Sequence, residues 1–251
     1  MEKKKNDFIA QGSILAISSI LVRVMGMIYR IPMTAIIGDK GNGFYSYAYS
    51  VYTILLLLSS YSLPLAVSKM VSAKAQLGQW RNVKRVFICA IAFAIGIGTT
   101  FGLIVLIGAQ FFTRVFFHSE LAAIALRFMA PTILIMALLG VFRGFFQGLQ
   151  NTLPTAVSQI VEGLINAIMS VVFAYFLFDF GHGMDVVSGT ADLGYAWGAA
   201  GGAIGTGAGA LAGLIFCFIL FVAYRKILAV NISRDKTGTQ QEYGDIFRLM
   251  L

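Results

Sequence analysis

The chain has 251 residues and a formal net charge of +8; 58% of its residues are hydrophobic and only 12% are charged. Soluble domains carry about 25% charged residues, so this composition excludes an ordinary soluble domain. The apolar stretches run to about twenty residues and more, which excludes the short alternating strands of a membrane β-barrel. Composition therefore predicts an all-α polytopic membrane protein.

Apolar stretches separated by polar segments predict six transmembrane helices. The expected spans are about 8–37, 42–67, 86–111, 121–145, 154–178 and 195–224. We expect residues 1–228 to form one six-helix lobe and residues 229–251 to form a cytoplasmic tail. The first span is too long for a cleavable signal peptide, and Lys3, Lys4 and Lys5 before it are typical of an orientation anchor.

Basic residues are distributed unevenly between the two sides of the predicted bundle. Most of the 19 lysines and arginines fall at the N-terminus, in segment 69–85 or after residue 224, whereas Lys40 and Arg114 fall on the opposite side. The positive-inside rule then places both termini in the cytoplasm. The positive charge is explained by topology, and we expect no nucleic-acid partner.

Two arginines, Arg23 and Arg30, interrupt the first apolar span. Seven residues make almost two helical turns, so both side chains project from one face about 10 Å apart, with Gly26 between them. A charge at the centre of a membrane helix costs roughly 2.5–3.5 kcal/mol on insertion scales. One interpretation is a preformed site for an anionic headgroup. The alternative is a pair of structural arginines that snorkel or pair within the bundle.

The fifth span carries a stripe of polar residues. Spacings of three and four residues place Gln159, Glu162, Asn166 and Ser170 along one helix face. Because Glu162 is too costly to face lipid, the stripe should face the bundle interior or a water-filled cavity. It predicts either a cavity wall, with Glu162 carrying a proton or pairing with an arginine, or ordinary hydrogen bonding between helices.

Glycines dominate the first half of the sixth span. Several are four residues apart, for example Gly198 and Gly202, or Gly205 and Gly209. This small-xxx-small spacing allows two helix backbones to approach closely, so we expect tight packing against a neighbouring helix. No strand precedes these glycines, which argues against a dinucleotide-binding loop.

Catalytic and metal-binding patterns are not found in the sequence. Cys89 and Cys217 lie in separate apolar spans and are typical of small core residues. His118 and His182 lie in different loops without helical ligand spacing. With no nucleophile beside a base, no paired carboxylates and no nucleotide-binding motif, we expect no enzyme activity, no metal and no cofactor.

Four segments resemble a known family of bacterial exporters. Segments 37–45 (IGDKGNGFY) and 62–69 (SLPLAVSK) are similar to its "lGxxGxGxY … lPxAvsk" pattern. Segments 143–148 (RGFFQG) and 154–162 (PTAVSQIVE) are similar to its "RGxFQG … PTAxSQxxE" signature. Together they resemble the multidrug/oligosaccharidyl-lipid/polysaccharide exporter superfamily, in the stage V sporulation protein B branch that includes Gram-positive lipid II flippases.

The resemblance implies a fold and a function. Members have two six-helix lobes around a central cavity and move undecaprenyl-diphosphate-linked sugars across the bacterial plasma membrane by alternating access. It implies that Arg23, Gly26 and Arg30 bind the diphosphate, although Arg30 lies one residue beyond the second arginine of the Gram-negative pattern. It also implies an anionic lipid-linked sugar and membrane lipids as partners.

Such exporters are about twice the length of this chain. We therefore expect an N-terminal half, whose cavity a second lobe or a second copy must close. Two alternatives stay open at this stage. One is a cation-coupled multidrug exporter of the same superfamily, and the other is a non-transporting membrane scaffold or assembly partner.

Overall fold

The computed structural model describes residues 2–189 and 191–250, with the side chains of 12–187, 189 and 191–249. The side chains of Lys3, Lys4 and Lys5, the expected orientation anchor, lie outside this range. Within it helices are the only regular secondary structure, which confirms the predicted all-α fold class. The helices are α1 Glu2–Ser60, α2 Leu63–Gln76, α3 Trp80–Phe117, α4 Ala122–Gly148, α5 Leu153–Ser188, α6 Leu193–Ser233 and α7 Tyr243–Met250.

Helix α1 is a hairpin of two arms that fold at Gly38. The backbone there has φ 61° and ψ −178°, a region that essentially only glycine adopts. Met33 and Tyr45 would lie about 18 Å apart along a straight helix. Instead, both contact the same glycine of α6, Gly202. The five helices long and apolar enough to cross a membrane therefore give six crossings, because α1 crosses twice.

The hairpin turn is attached to the start of α6. Lys40 Nζ donates a hydrogen bond to Asp192 Oδ1 at 2.9 Å and lies 5.9 Å from the centre of the Tyr195 ring. On the same end of the bundle, the carboxylate of Asp185 accepts the backbone N–H groups of Leu193 and Gly194, both at 2.9 Å. These two N–H groups belong to the first turn of α6, where they have no partner within the helix.

The second predicted span, 42–67, is too long. The second arm of α1 ends at Ser60, and α2 begins as a separate helix at Leu63 with Pro64 in its first turn, where a proline removes no helical hydrogen bond. Helix α2 packs against α4, where a Cβ at Gly144 would lie 2.6 Å from the carbonyl oxygen of Pro64. The sixth crossing is longer than expected, and the predicted boundary at residue 228 falls inside α6.

The contact between α5 and α6 is the most extensive in the bundle. A Cβ at Gly201 would overlap the backbone of Phe173 and Ala174, and one at Gly205 would overlap Ser170. A Cβ at Gly209 would meet the carbonyl oxygen of Glu162. The close packing expected of the α6 glycines is therefore confirmed.

The segment between α6 and α7, residues 235–241, lies along the first turns of α3; we call it the strap. Asn82 is fully buried and binds it twice, donating to the Thr239 carbonyl at 3.2 Å and accepting the Gln241 N–H at 3.0 Å. Asp235 accepts the backbone N–H of Arg81 at 3.0 Å. Beyond the strap, α7 inserts the fully buried Ile246 into the core.

Substituting Gly205 tests the contact between α5 and α6. We expect Gly205→Ala to lower the free energy of unfolding by about 1–3 kcal/mol, because the added methyl group must displace the backbone of Ser170. The measurement is thermal unfolding in detergent. Gly96→Ala in α3 is the control, since a Cβ there meets no atom within 4 Å. Equal unfolding temperatures for the two variants would contradict the close approach.

The strap should detach at low pH through Asp235. Its hydrogen bonds with the N–H of Arg81 and with Thr237 lower the pKa of the Asp235 carboxyl to about 2. Because this folded-state pKa is below the ordinary value of about 3.9, docking is fully stabilised above about pH 4 and loses that contribution as the pH falls towards 2. Hydrogen exchange of the Arg81 and Thr237 amides measures this loss.

Asp235→Asn should leave both amides weakly protected across the whole pH range. The control is Asp245→Asn, which removes an exposed carboxylate from the first turn of α7. If Asp235→Asn keeps the wild-type protection at pH 7, the carboxylate does not hold the strap.

Candidate functional site

Arg23 and Arg30 lie on an exposed face of the first arm of α1. Gly26 is half-buried between them, and a Cβ added there would meet no atom within 4 Å. The space between the two arginines is therefore open. Neither guanidinium forms an ion pair with any side chain that the structure describes.

The opposite face of this arm packs on α5. Ser18 Oγ donates to Gln159 Oε1 at 3.3 Å, one turn before Val22 and two turns before Met25. A Cβ at Gly163 would lie 3.3 Å from Val22 and 3.1 Å from Met25. Because these contacts orient the arm, the two arginines point away from the α1–α5 interface. Neither arginine forms an ion pair with a described side chain of the lobe.

The polar stripe of α5 is divided between three neighbours. Gln159 contacts Ser18 of α1, whereas Glu162 faces α4. Asn166 Oδ1 accepts a hydrogen bond from Ser170 Oγ at 2.8 Å, and its Cβ lies against Gly209 of α6. Glu162 and Asn166 thus join α5 to α4 and α6, whereas Gln159, which lies nearest the start of α5, also borders open space.

Arg143 of α4 is the partner of Glu162. Its Nη2 donates to Glu162 Oε2 at 2.7 Å, and its Nε donates to Ser158 Oγ at 2.9 Å. The side chain of Arg143 is 12% exposed and that of Glu162 is 25% exposed, so water screens this pair weakly. A charge-assisted pair of this kind lets both ions remain inside the bundle at a tolerable cost.

The sequence predicted that Glu162 could pair with an arginine but did not single out Arg143 as that arginine. The sequence did contain an indication of this pair, because Arg143 is the first residue and Glu162 the last of the family signature in segments 143–148 and 154–162. They lie 19 positions apart across the turn between α4 and α5. An antiparallel helix pair brings residues roughly equidistant from its turn side by side.

Metal and cofactor ligands do not converge in the described residues. No three side chains among their histidines, cysteines, aspartates and glutamates lie close enough together to hold a metal ion. Cys89 and Cys217 are both buried and unbonded to each other. The arrangement instead offers an exposed pair of cations, Arg23 and Arg30, and a separate internal ion pair between Arg143 and Glu162.

Known proteins are similar to this chain over most of its length. Residues 8–239 match the family model for polysaccharide biosynthesis protein. Stage V sporulation protein B of Bacillus subtilis (strain 168) is 26% identical over 240 residues, which cover 94% of this chain and 43% of that protein. Lipid II flippase MurJ of the same organism is 26% identical over 200 residues, covering 76% of this chain and 37% of MurJ.

A third relative is the uncharacterized membrane protein YabM of Bacillus subtilis, 26% identical over 174 residues. The chain spans less than half the length of these curated relatives. The relatives and the apolar helices together indicate a multi-pass protein of a bacterial membrane. On the match over residues 8–239, the chain belongs to the polysaccharide biosynthesis protein family.

Proposed function

We propose that this chain forms the substrate-binding half of a flippase for undecaprenyl-diphosphate-linked oligosaccharide, either lipid II or a polysaccharide precursor. The observation that carries the proposal is the exposed pair Arg23 and Arg30, with open space at Gly26 and no acidic partner among the described side chains. MurJ, a relative, is a lipid II flippase by name.

Charge supports a diphosphate as the ligand. Two cations about 10 Å apart repel each other by about 1.6 kcal/mol at an effective dielectric constant of 20. A ligand with two or more negative charges between them more than offsets this repulsion. The isoprenoid tail of such a ligand stays in the lipid, while its diphosphate reaches Arg23 and Arg30 inside the membrane.

A second six-helix unit, or a second copy of the chain, would cover the arginine face. Rocking of the two units would then expose the site first to the inner and then to the outer leaflet. We propose an ion gradient or the membrane potential as the energy source. In this scheme the chain binds and carries its substrate without making or breaking covalent bonds.

The two alternative functions are less well supported. A multidrug exporter for cationic drugs needs an unpaired acidic group in its cavity, but Glu162 is paired with Arg143. A non-transporting scaffold does not require two arginines in a membrane helix that lack an acidic partner among the described side chains, because such arginines carry an energetic cost. Movement of lipid-anchored sugar across vesicles that contain the chain would exclude the scaffold.

Replacing either arginine should weaken substrate binding. We expect Arg23→Gln to reduce the affinity of the detergent-solubilised chain for undecaprenyl diphosphate by about tenfold, because one charge-assisted contact is lost. Arg30→Gln should act in the same direction. Equilibrium binding of the radiolabelled lipid measures the change.

The matched control is Arg127→Gln. Arg127 is also exposed within a membrane-spanning helix, but it lies on α4. It should leave the affinity within about twofold of wild type, as expected for a residue outside the site. If Arg23→Gln binds undecaprenyl diphosphate as the wild type does, or moves labelled lipid II in vesicles at the wild-type rate, the site assignment fails.

A further inference from the structure

A cavity of about 270 Å³ lies at the end of the bundle that carries the basic segment 69–85. It opens between the end of the second α1 arm, the start of α2, the end of α4 and the start of α5. We call it the headgroup pocket. Its polar lining residues are Ser60, Tyr61, Arg143, Gln147, Thr155 and Gln159.

Arg143 contributes a guanidinium group to the lining of this pocket. The guanidinium uses Nε and Nη2 for Ser158 and Glu162, whereas Nη1 has no hydrogen-bond partner among the described residues. Glu162 lies behind the pocket, and none of the described residues that line it is acidic. A ligand therefore meets a guanidinium group that Glu162 and Ser158 hold in place and that keeps Nη1 as a hydrogen-bond donor.

Uncharged donors surround the cation. Gln147 Nε2 donates to Thr155 Oγ1 at 3.3 Å, which aligns both groups along one wall. Gln159, which also accepts a hydrogen bond from Ser18, lies on the neighbouring turn of α5. Amide and hydroxyl groups beside a guanidinium are the usual ligands of a phosphate group.

The other side chains that line the pocket are apolar: Leu56, Pro64 and Met136, together with the ring of Tyr61. Tyr61 is 75% exposed on the outside of the bundle. A polar pocket that borders a lipid-facing surface suits a molecule with a phosphate head and a hydrocarbon tail. The volume equals that of about nine liquid waters, enough for a diphosphate and far too small for an oligosaccharide.

The headgroup pocket lies close to the two arginines of α1. Ser18 contacts the pocket residue Gln159, and Arg23 lies five residues, or about 7.5 Å, further along the same helix arm. We propose that the headgroup pocket is a loading site for the diphosphate of the isoprenoid lipid, occupied before the diphosphate reaches Arg23 and Arg30. This assignment rests on the proposed flippase function.

The test is photolabelling of the full chain in detergent with farnesyl diphosphate that carries a photoreactive group on its tail. Labelled peptides are then mapped by mass spectrometry. In the wild type we expect labels on residues 56–64 and 140–159, and on the first arm of α1. Unlabelled farnesyl diphosphate should compete at least about tenfold better than farnesol, which lacks the phosphates.

Two substitutions remove pocket contacts. Gln147→Leu keeps the side-chain volume and leaves the Arg143–Glu162 pair intact, and Arg143→Lys keeps the charge but loses the planar fork. Each should reduce labelling of 56–64 and 140–159 by about fivefold to tenfold and preserve labelling of the first α1 arm. The controls Gln110→Leu and Arg225→Lys, at exposed positions outside the pocket, should change neither.

Circular dichroism and gel filtration identify variants that do not fold. If Arg143→Lys does not fold, Gln147→Leu alone tests the pocket. Wild-type labelling of the pocket peptides in folded Gln147→Leu would overturn the proposal. So would competition by phosphatidylglycerol equal to that by farnesyl diphosphate, because the pocket would then hold bulk anionic lipid.

Arg23→Gln and Arg30→Gln separate this proposal from the proposed function. If they abolish labelling of the first α1 arm while the pocket variants change nothing, the loading site alone is wrong. If the pocket variants lower their own labelling while Arg23→Gln and Arg30→Gln have no effect, the diphosphate site on α1 is wrong.

Discussion

Backbone contact between α5 and α6 is the constraint on which the rest of the bundle depends. Lipid gives no hydrophobic drive for two apolar helices to associate, so close packing of small residues must hold them together. At Gly201, Gly205 and Gly209 the two backbones approach too closely to admit a Cβ. The seam contains Asn166 and the carbonyl of Glu162, and this fixes the rotation of α5. The Glu162 side chain is thereby directed to Arg143 of α4.

Charge inside the membrane is handled in two different ways. Arg143 lies within the lobe and is neutralised by Glu162, so the lobe itself offsets the free-energy cost of burying this charge. Arg23 and Arg30 lie on the exposed surface of the lobe with no counter-ion among the described residues. Their cost of roughly 2.5–3.5 kcal/mol each is one that a ligand or a covering half can relieve. The proposed substrate site follows from this difference.

The hairpin at Gly38 places both ends of α1 at the same end of the bundle. Ser18 on one arm and Ser60 on the other thus come near Gln159, which contacts Ser18 and lines a cavity together with Ser60. A straight α1 would separate these groups by about 60 Å. The strap closes the same end of the bundle, where Asn82 and Asp235 join the segment after α6 to the start of α3.

The sequence by itself determined the membrane class, the number of crossings, the α6 packing glycines and the shared helix face of Arg23 and Arg30. Each of these depends on composition or on spacing along one helix. Only the tertiary structure decided that Glu162 pairs with Arg143, that Asn166 packs against α6, and that the second crossing stops at Ser60. These features depend on how far one helix rotates and slides against another. The rotation and the sliding of each helix are set by the packing of many side chains together, and residue spacing along a single helix does not contain this information.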